Sequence, residues 1–145
     1  MLDAAWLESA AAVTELAAGA PLLVGGRSAG ARVACRTSAA VGAVGVVCLA
    51  FPLHPPAHPE RSRLEELLTP SVPVLVLQGD RDTFGSAGLV EQEAADRPGI
   101  QVVPVPGADH GMRVLKASPL PQREVAALVV STVAAFADRI LAAGR

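Results

Sequence analysis

The stretch PLLVGGRSAGARVAC, Pro21 to Cys35, runs an apolar segment into two glycines, an arginine, a serine and a third glycine. Leu22 to Gly25 reads as a short strand, and SAGARVACRTSAA as a helix whose small residues let it lie close to a sheet. Several glycine-rich turns join a strand to a helix. A dinucleotide-cradling turn could use Gly25 and Gly30 as outer glycines, but Arg27 occupies the middle position, where a side chain blocks backbone approach to a pyrophosphate. The next apolar strand ends in Ala50-Phe51, with no acid for a ribose, and no Gly-Lys-Ser/Thr follows for a P-loop.

The remaining pattern is G-x-S-x-G, here GRSAG from Gly26 to Gly30. So tight a strand-to-helix turn strains the serine backbone, demands small residues two positions to either side and exposes the hydroxyl. The N–H of Ala29, at the start of the helix, then becomes a donor for a developing oxyanion. The plainer account is that Ser28 caps the following helix, a common task for serine.

A nucleophilic serine needs a base, and the base an orienting acid. The rest of the chain decides whether they exist. Leu2, Trp6, Ala10, Val13 and Leu16 recur at helical spacing, and Gly19 with Pro21 ends that helix. Val44 to Ala50 is a continuous apolar run, as in a strand covered on both faces. A proline-rich loop, FPLHPPAHPERS, precedes the short helix RLEELL, and Val72 to Gln78 is the third strand. A helix from about Ser86 to Asp96, a fourth strand IQVVPV and a long amphipathic helix marked by Val125, Leu128, Val129, Thr132, Val133, Phe136 and Ile140 complete the chain. Strand and helix alternate four times, which predicts an α/β fold: a parallel sheet of about four strands with helices on both faces.

In such a sheet the functional loops lie at the carboxyl ends of the strands. Three polar segments occupy those ends: Gly25 to Gly30, Gly79 to Gly85, and Pro106 to Met112. They carry Ser28, Asp80, Asp82 and His110, in the chain order serine, aspartate, histidine. The aspartates could instead serve turn chemistry, and an Asp-x-Asp after a strand could be a magnesium-dependent aspartyl site. Phe84 stands where that pattern wants threonine. His54 and His58 fall in the proline-rich loop as rim residues, and Arg32 and Arg36 lie on the solvated or loop-contacting side of their helix.

GGRSAGARVAC, FPLHPP, LQGDRDTFG and GADHGM together resemble the corresponding blocks of small α/β-hydrolases of the dienelactone-hydrolase-like group. The resemblance implies Ser28 as nucleophile, Asp82 as acid, His110 as general base and Ala29 as oxyanion donor, with Asp80 a structural turn residue. It implies hydrolysis of a small ester or thioester through an acyl-serine, with no cofactor and no metal. Such hydrolases begin with further strands and a glycine-rich loop that supplies a second oxyanion donor. The chain matches only the carboxyl-terminal part, so residues 1–145 are expected to form a single domain lacking the amino-terminal strands. A catalytically weak or inactive remnant, working as an interaction module or through a partner, is the alternative. The strand near Leu22 would then have an open edge that invites a homo-oligomer.

The totals agree with one small domain. The chain has 145 residues, of which 51% are hydrophobic, and a formal charge of −2, which offers no basic patch for nucleic acid. No uninterrupted apolar run reaches membrane-spanning length, so no membrane partner is expected. Asp3, Glu8 and Glu15 do not suit a secretory signal. Cys35 and Cys48 lack metal-ligand spacing and fit buried free thiols in a reducing compartment, hence a cytoplasmic setting.

Overall fold

The structure, a computed structural model, describes residues 2–144. Strands β1 (Leu23–Arg27), β2 (Gly45–Leu49), β3 (Val74–Gly79) and β4 (Ile100–Val105) form one parallel sheet in the order β1-β2-β3-β4. Between them and at the ends run α1 (Leu2–Leu16), α2 (Ala29–Thr37), α3 (Leu64–Leu68), α4 (Ala87–Glu93) and α5 (Gln122–Ala143). The fold class is the one predicted.

Strand alternation divides the core in two. Val24, Val46, Cys48, Val74 and Val76 point to one face, where they meet Ala31, Ala34 and Cys35 of α2, Leu67 of α3 and Val90 of α4. Leu75, Leu77 and Val105 point to the other, under Val125 and Phe136 of α5. Four helices therefore cover one face and a single long helix the other. The small residues of α2 have the predicted use: Ala31, Ala34 and Cys35 have no exposed surface and bring the helix backbone close to β1 and β2.

Two expectations need correction, and the apolar stripe of α1 turns out not to be a core stripe. None of its residues is buried; Leu2, Val13 and Leu16 are exposed, and Trp6 is the large side chain packed on the core. Periodicity marked the helix correctly, but of its stripe it is Trp6 that packs against the buried core. Strand β1 extends to Arg27, so the glycines of the turn belong to the strand itself. Finally, α5 is long and apolar enough to cross a bilayer, with a mean hydropathy of 1.8 in its most apolar window. Ser131, Thr132, Asp138 and Arg139 interrupt its apolar runs without lowering the average below that of a spanning segment.

The end of α4 also falls short of its predicted span. Ser86 caps it by accepting the Leu89 N–H, and the helix stops at Glu93 rather than Asp96. On the outer side, Arg32 and Arg36 are not merely solvated. Arg32 makes a bidentate pair with Glu66 of α3, and Arg36 bridges Glu66 and Asp3 of α1. This network is the polar clamp that fixes α1 and α3 against α2.

Candidate active site

The carboxyl ends of β1, β3 and β4 come together at one end of the sheet. Ser28 follows β1 directly and has φ 53 and ψ −115, a backbone conformation costly for a residue with a Cβ. Its N–H donates to Leu49 O of β2 at 3.0 Å, and its carbonyl accepts from the Ala31 and Arg32 N–H groups as α2 begins. A Cβ on Gly26 would collide with the Gly30 carbonyl, its oxygen lying at 2.6 Å, whereas a Cβ on Gly30 would meet nothing within 4 Å. The turn thus needs glycine on the strand side only, which narrows the symmetric requirement read from the sequence.

Ser28 stands at the cap position of α2 but makes no side-chain cap bond. Its Oγ lies 2.9 Å from Nε2 of His110 instead. On the far side of the imidazole, Nδ1 lies 2.9 Å from Oδ2 and 3.1 Å from Oδ1 of Asp82. A carboxylate only accepts, so Nδ1 carries the proton and donates to Asp82, leaving Nε2 to accept from the Ser28 hydroxyl. The Asp82 side chain is fully buried and that of His110 is 20% exposed.

Each partner is locked by its own loop. Asp82 Oδ1 accepts the Phe84 N–H at 2.8 Å, and Oδ2 accepts from Gln78 Nε2 at 3.1 Å. The ring of Phe84 stacks on His110 with centroids 4.1 Å apart, which blocks rotation of the imidazole. Next to the histidine, Asp109 Oδ1 accepts the N–H groups of Gly111 and Arg113, closing the turn that presents His110. The Arg113 N–H, with that of Gly111, holds the Asp109 carboxyl below the usual range against the opposing effect of burial. Asp80 accepts the Gly107 N–H at 2.7 Å and so ties the loop after β3 to the loop after β4, the turn role expected of it.

A serine on a strained strand-to-helix turn, hydrogen-bonded through histidine to a buried aspartate, narrows the family, and comparison settles it. A family model described as alpha/beta hydrolase domain matches residues 1–138. The chain belongs to the alpha/beta hydrolases. A search of curated proteins found no match.

Among the described residues of this alpha/beta hydrolase, no group of three or more His, Cys, Asp or Glu side chains could hold a metal ion. His54 and His58 stay outside the site: His54 Nδ1 lies against Pro55 O, and the exposed His58 meets Glu60. The N–H of His54 does bond Phe84 O at 3.1 Å, which links the proline-rich loop to the Asp82 loop. Cys35 and Cys48 are free and buried, their sulfurs 3.5 Å apart, and the Cys35 contact with burial pushes the Cys48 thiol up. Sequence reasoning missed Gln78 and the stacking role of Phe84. The available signal was Gln78 itself, one polar residue closing an otherwise apolar strand.

Proposed function

We propose that this alpha/beta hydrolase cleaves a small ester or thioester through an acyl-serine intermediate, with Ser28 as nucleophile, His110 as general base and Asp82 as its orienting acid. The observation that carries this reading is the 2.9 Å contact between Ser28 Oγ and His110 Nε2, with Nδ1 of the same ring held by Asp82. As Ser28 Oγ attacks the acyl carbon, Nε2 takes its proton. The tetrahedral oxyanion meets the N–H of Ala29 at the start of α2, where backbone donors lack intrahelical acceptors. Nε2 then protonates the departing alcohol or thiol. In the second half Nε2 takes a proton from water as the water attacks the acyl carbon, and then returns it to Ser28 Oγ as the bond from that oxygen to the acyl carbon breaks and the carboxylic acid leaves.

The test is intact-mass analysis after exposure to a fluorophosphonate probe. A single adduct on the wild type and none on Ser28→Ala is expected; equal labelling of both removes Ser28 as nucleophile.

The free side of β1 supports a second reading, in which the chain works as an assembly rather than by its own turnover. Among the described residues, no strand pairs with the outer edge of β1, which is flanked by an apolar groove of about 300 Å³ between Trp6, Val13 and Leu22 to Gly25. A self-pairing dimer is the form this predicts. Light scattering that finds a stable monomer at high concentration overturns it.

A further inference from the structure

Strand β3 reads Val-Leu-Val-Leu from Val74 to Leu77 and then places Gln78, which has no exposed surface. Three oxygens converge on its Nε2: Gly85 O at 2.6 Å, Phe51 O at 3.1 Å and Asp82 Oδ2 at 3.1 Å. That environment fixes the amide, because the reverse orientation would set Oε1 against all three acceptors. In the orientation observed, Oε1 is buried with no partner. An orphaned buried acceptor is destabilising, and an apolar side chain like the four before it would avoid the loss. What glutamine supplies at this position is its N–H groups, and one of their targets is the site carboxylate.

We propose that Gln78 is a positioning residue that fixes the plane of the Asp82 carboxylate and, through it, the reach of His110 to Ser28. The inference rests on the reading of Ser28 as nucleophile. The terminal torsion of an aspartate is broad and roughly two-fold, so the backbone does not set its plane. Here the Phe84 N–H holds Oδ1 and Gln78 holds Oδ2, so each oxygen is pinned from a different direction. His110 Nδ1 approaches both oxygens and inherits that plane. Gln78 also joins the exit of β2, at Phe51, to the loop that carries Asp82. Without its donor, Oδ2 can turn, the imidazole follows, and Nε2 drifts from the Ser28 hydroxyl. A displacement of about 1 Å at a reacting group costs on the order of 10²-fold in rate.

The decisive experiment is a double-mutant cycle on the full chain, read as the second-order rate of fluorophosphonate labelling at Ser28. Gln78→Met keeps length and loses both N–H groups; it is expected to slow labelling by roughly 10- to 100-fold. In an Asp82→Ala background the same change is expected to have almost no effect, because the group through which it acts is gone. Gln78→Glu keeps the shape better and is expected to slow labelling at least as much, since an oxygen replaces the donor. Wild-type rates in both Gln78 variants, or an equal slowing by Gln78→Met with and without Asp82, overturn the proposal. A second readout is the far-downfield proton resonance of the His110 Nδ1–H. It is expected to shift in Gln78→Met and to vanish in Asp82→Ala. If wild-type Ser28 takes no label, the nucleophile reading falls, and the resonance still decides Gln78: an unchanged signal in Gln78→Met overturns the inference.

Discussion

Strands β1 and β3 end in the two halves of the same site, and they are held in opposite ways. Every residue of β3 is buried, and the strand pairs with β2 on one side and β4 on the other. Of β1 only Val24 is buried, and among the described residues the strand pairs with β2 alone. Asp82 therefore leaves a strand fixed on both edges and both faces, and its carboxylate is bonded from three directions. Ser28 leaves a strand fixed on one edge, under a helix, α1, with no buried residue. Its alignment depends on the Leu49 bond, on the packing of α2 and on the strained turn. On the proposed mechanism, the strongly held half would set the direction of the proton transfer, and the weakly held half whether the hydroxyl is there to give it.

The first way to break this comparison is to remove the chemistry from each half. Ser28→Ala is expected to abolish fluorophosphonate labelling and lower turnover of a p-nitrophenyl ester by about 10⁴-fold or more. Asp82→Asn is expected to cost about 10⁴-fold, because the amide favours the wrong imidazole tautomer. If Asp82→Asn turns over like the wild type, the buried carboxylate is a fold element and the two halves do not act together.

Next in size is the difference in stability. Leu75 and Val24 point to opposite faces of the same sheet, at 0% and 6% exposure. Leu75→Ala is expected to cost about 2–5 kcal/mol, by lost transfer and an unfilled cavity. Val24→Ala, at the open side where α1 can settle, is expected to cost about 1–2 kcal/mol. Denaturant melts measure both, and amide exchange gives the same contrast without mutation, with β3 amides exchanging only through global opening and β1 amides sooner. Equal protection in the two strands would show that β1 has a partner on its free edge.

How far the sequence anticipated this structure follows from the same contrast. The four strands and the convergence of Ser28, Asp82 and His110 were legible because apolar runs and strand-end motifs are local signals. Gln78 was not, since its role depends on Phe51 and Gly85, which are distant in sequence or separated by a loop. The exposure of α1 was hidden for a related reason. Helical periodicity reports a face suited to burial, and only the neighbouring elements decide whether something lies against it. Likewise, the symmetric glycine motif gave no sign that one glycine of the pair is sterically free.

That asymmetry in the turn gives a smaller, sharper test. Gly26→Ala forces a Cβ into the Gly30 carbonyl, so the turn must open and move Ser28. Slower labelling by about 10²-fold is expected, in line with a displacement of about 1 Å. Gly30→Ala adds a methyl in open space on a helical residue and is expected to label normally with slightly raised stability, by up to about 1 kcal/mol. Equal losses in both variants would mean that the turn needs glycine on the helix side for a reason other than sterics.

The smallest expected effect lies in the clamp on the weak half. Burial works to raise the Glu66 carboxyl, and hydrogen bonds from Arg32 and Arg36 outweigh it, so the group sits below its usual 4.5. A carboxyl depressed by folding stabilises the native state at pH values above its unfolded pKa. That contribution fades as pH falls through the lower, folded value. Glu66→Gln is therefore expected to lower Tm at pH 7 by about 3–5 °C, equivalent to about 1 kcal/mol for a partly exposed pair in a domain of this size. At pH 3, below the unfolded value, the gap between variant and wild type is expected to shrink, because the unfolded carboxyl is by then largely protonated and the native pair must hold its charge against that proton. The effect belongs to α1 and α3, so amide exchange is expected to quicken in α1 while β3 stays unchanged. A uniform loss of protection across both strands would mean that the clamp stabilises the whole sheet, and the division between a firm half and a loose half would have to be redrawn.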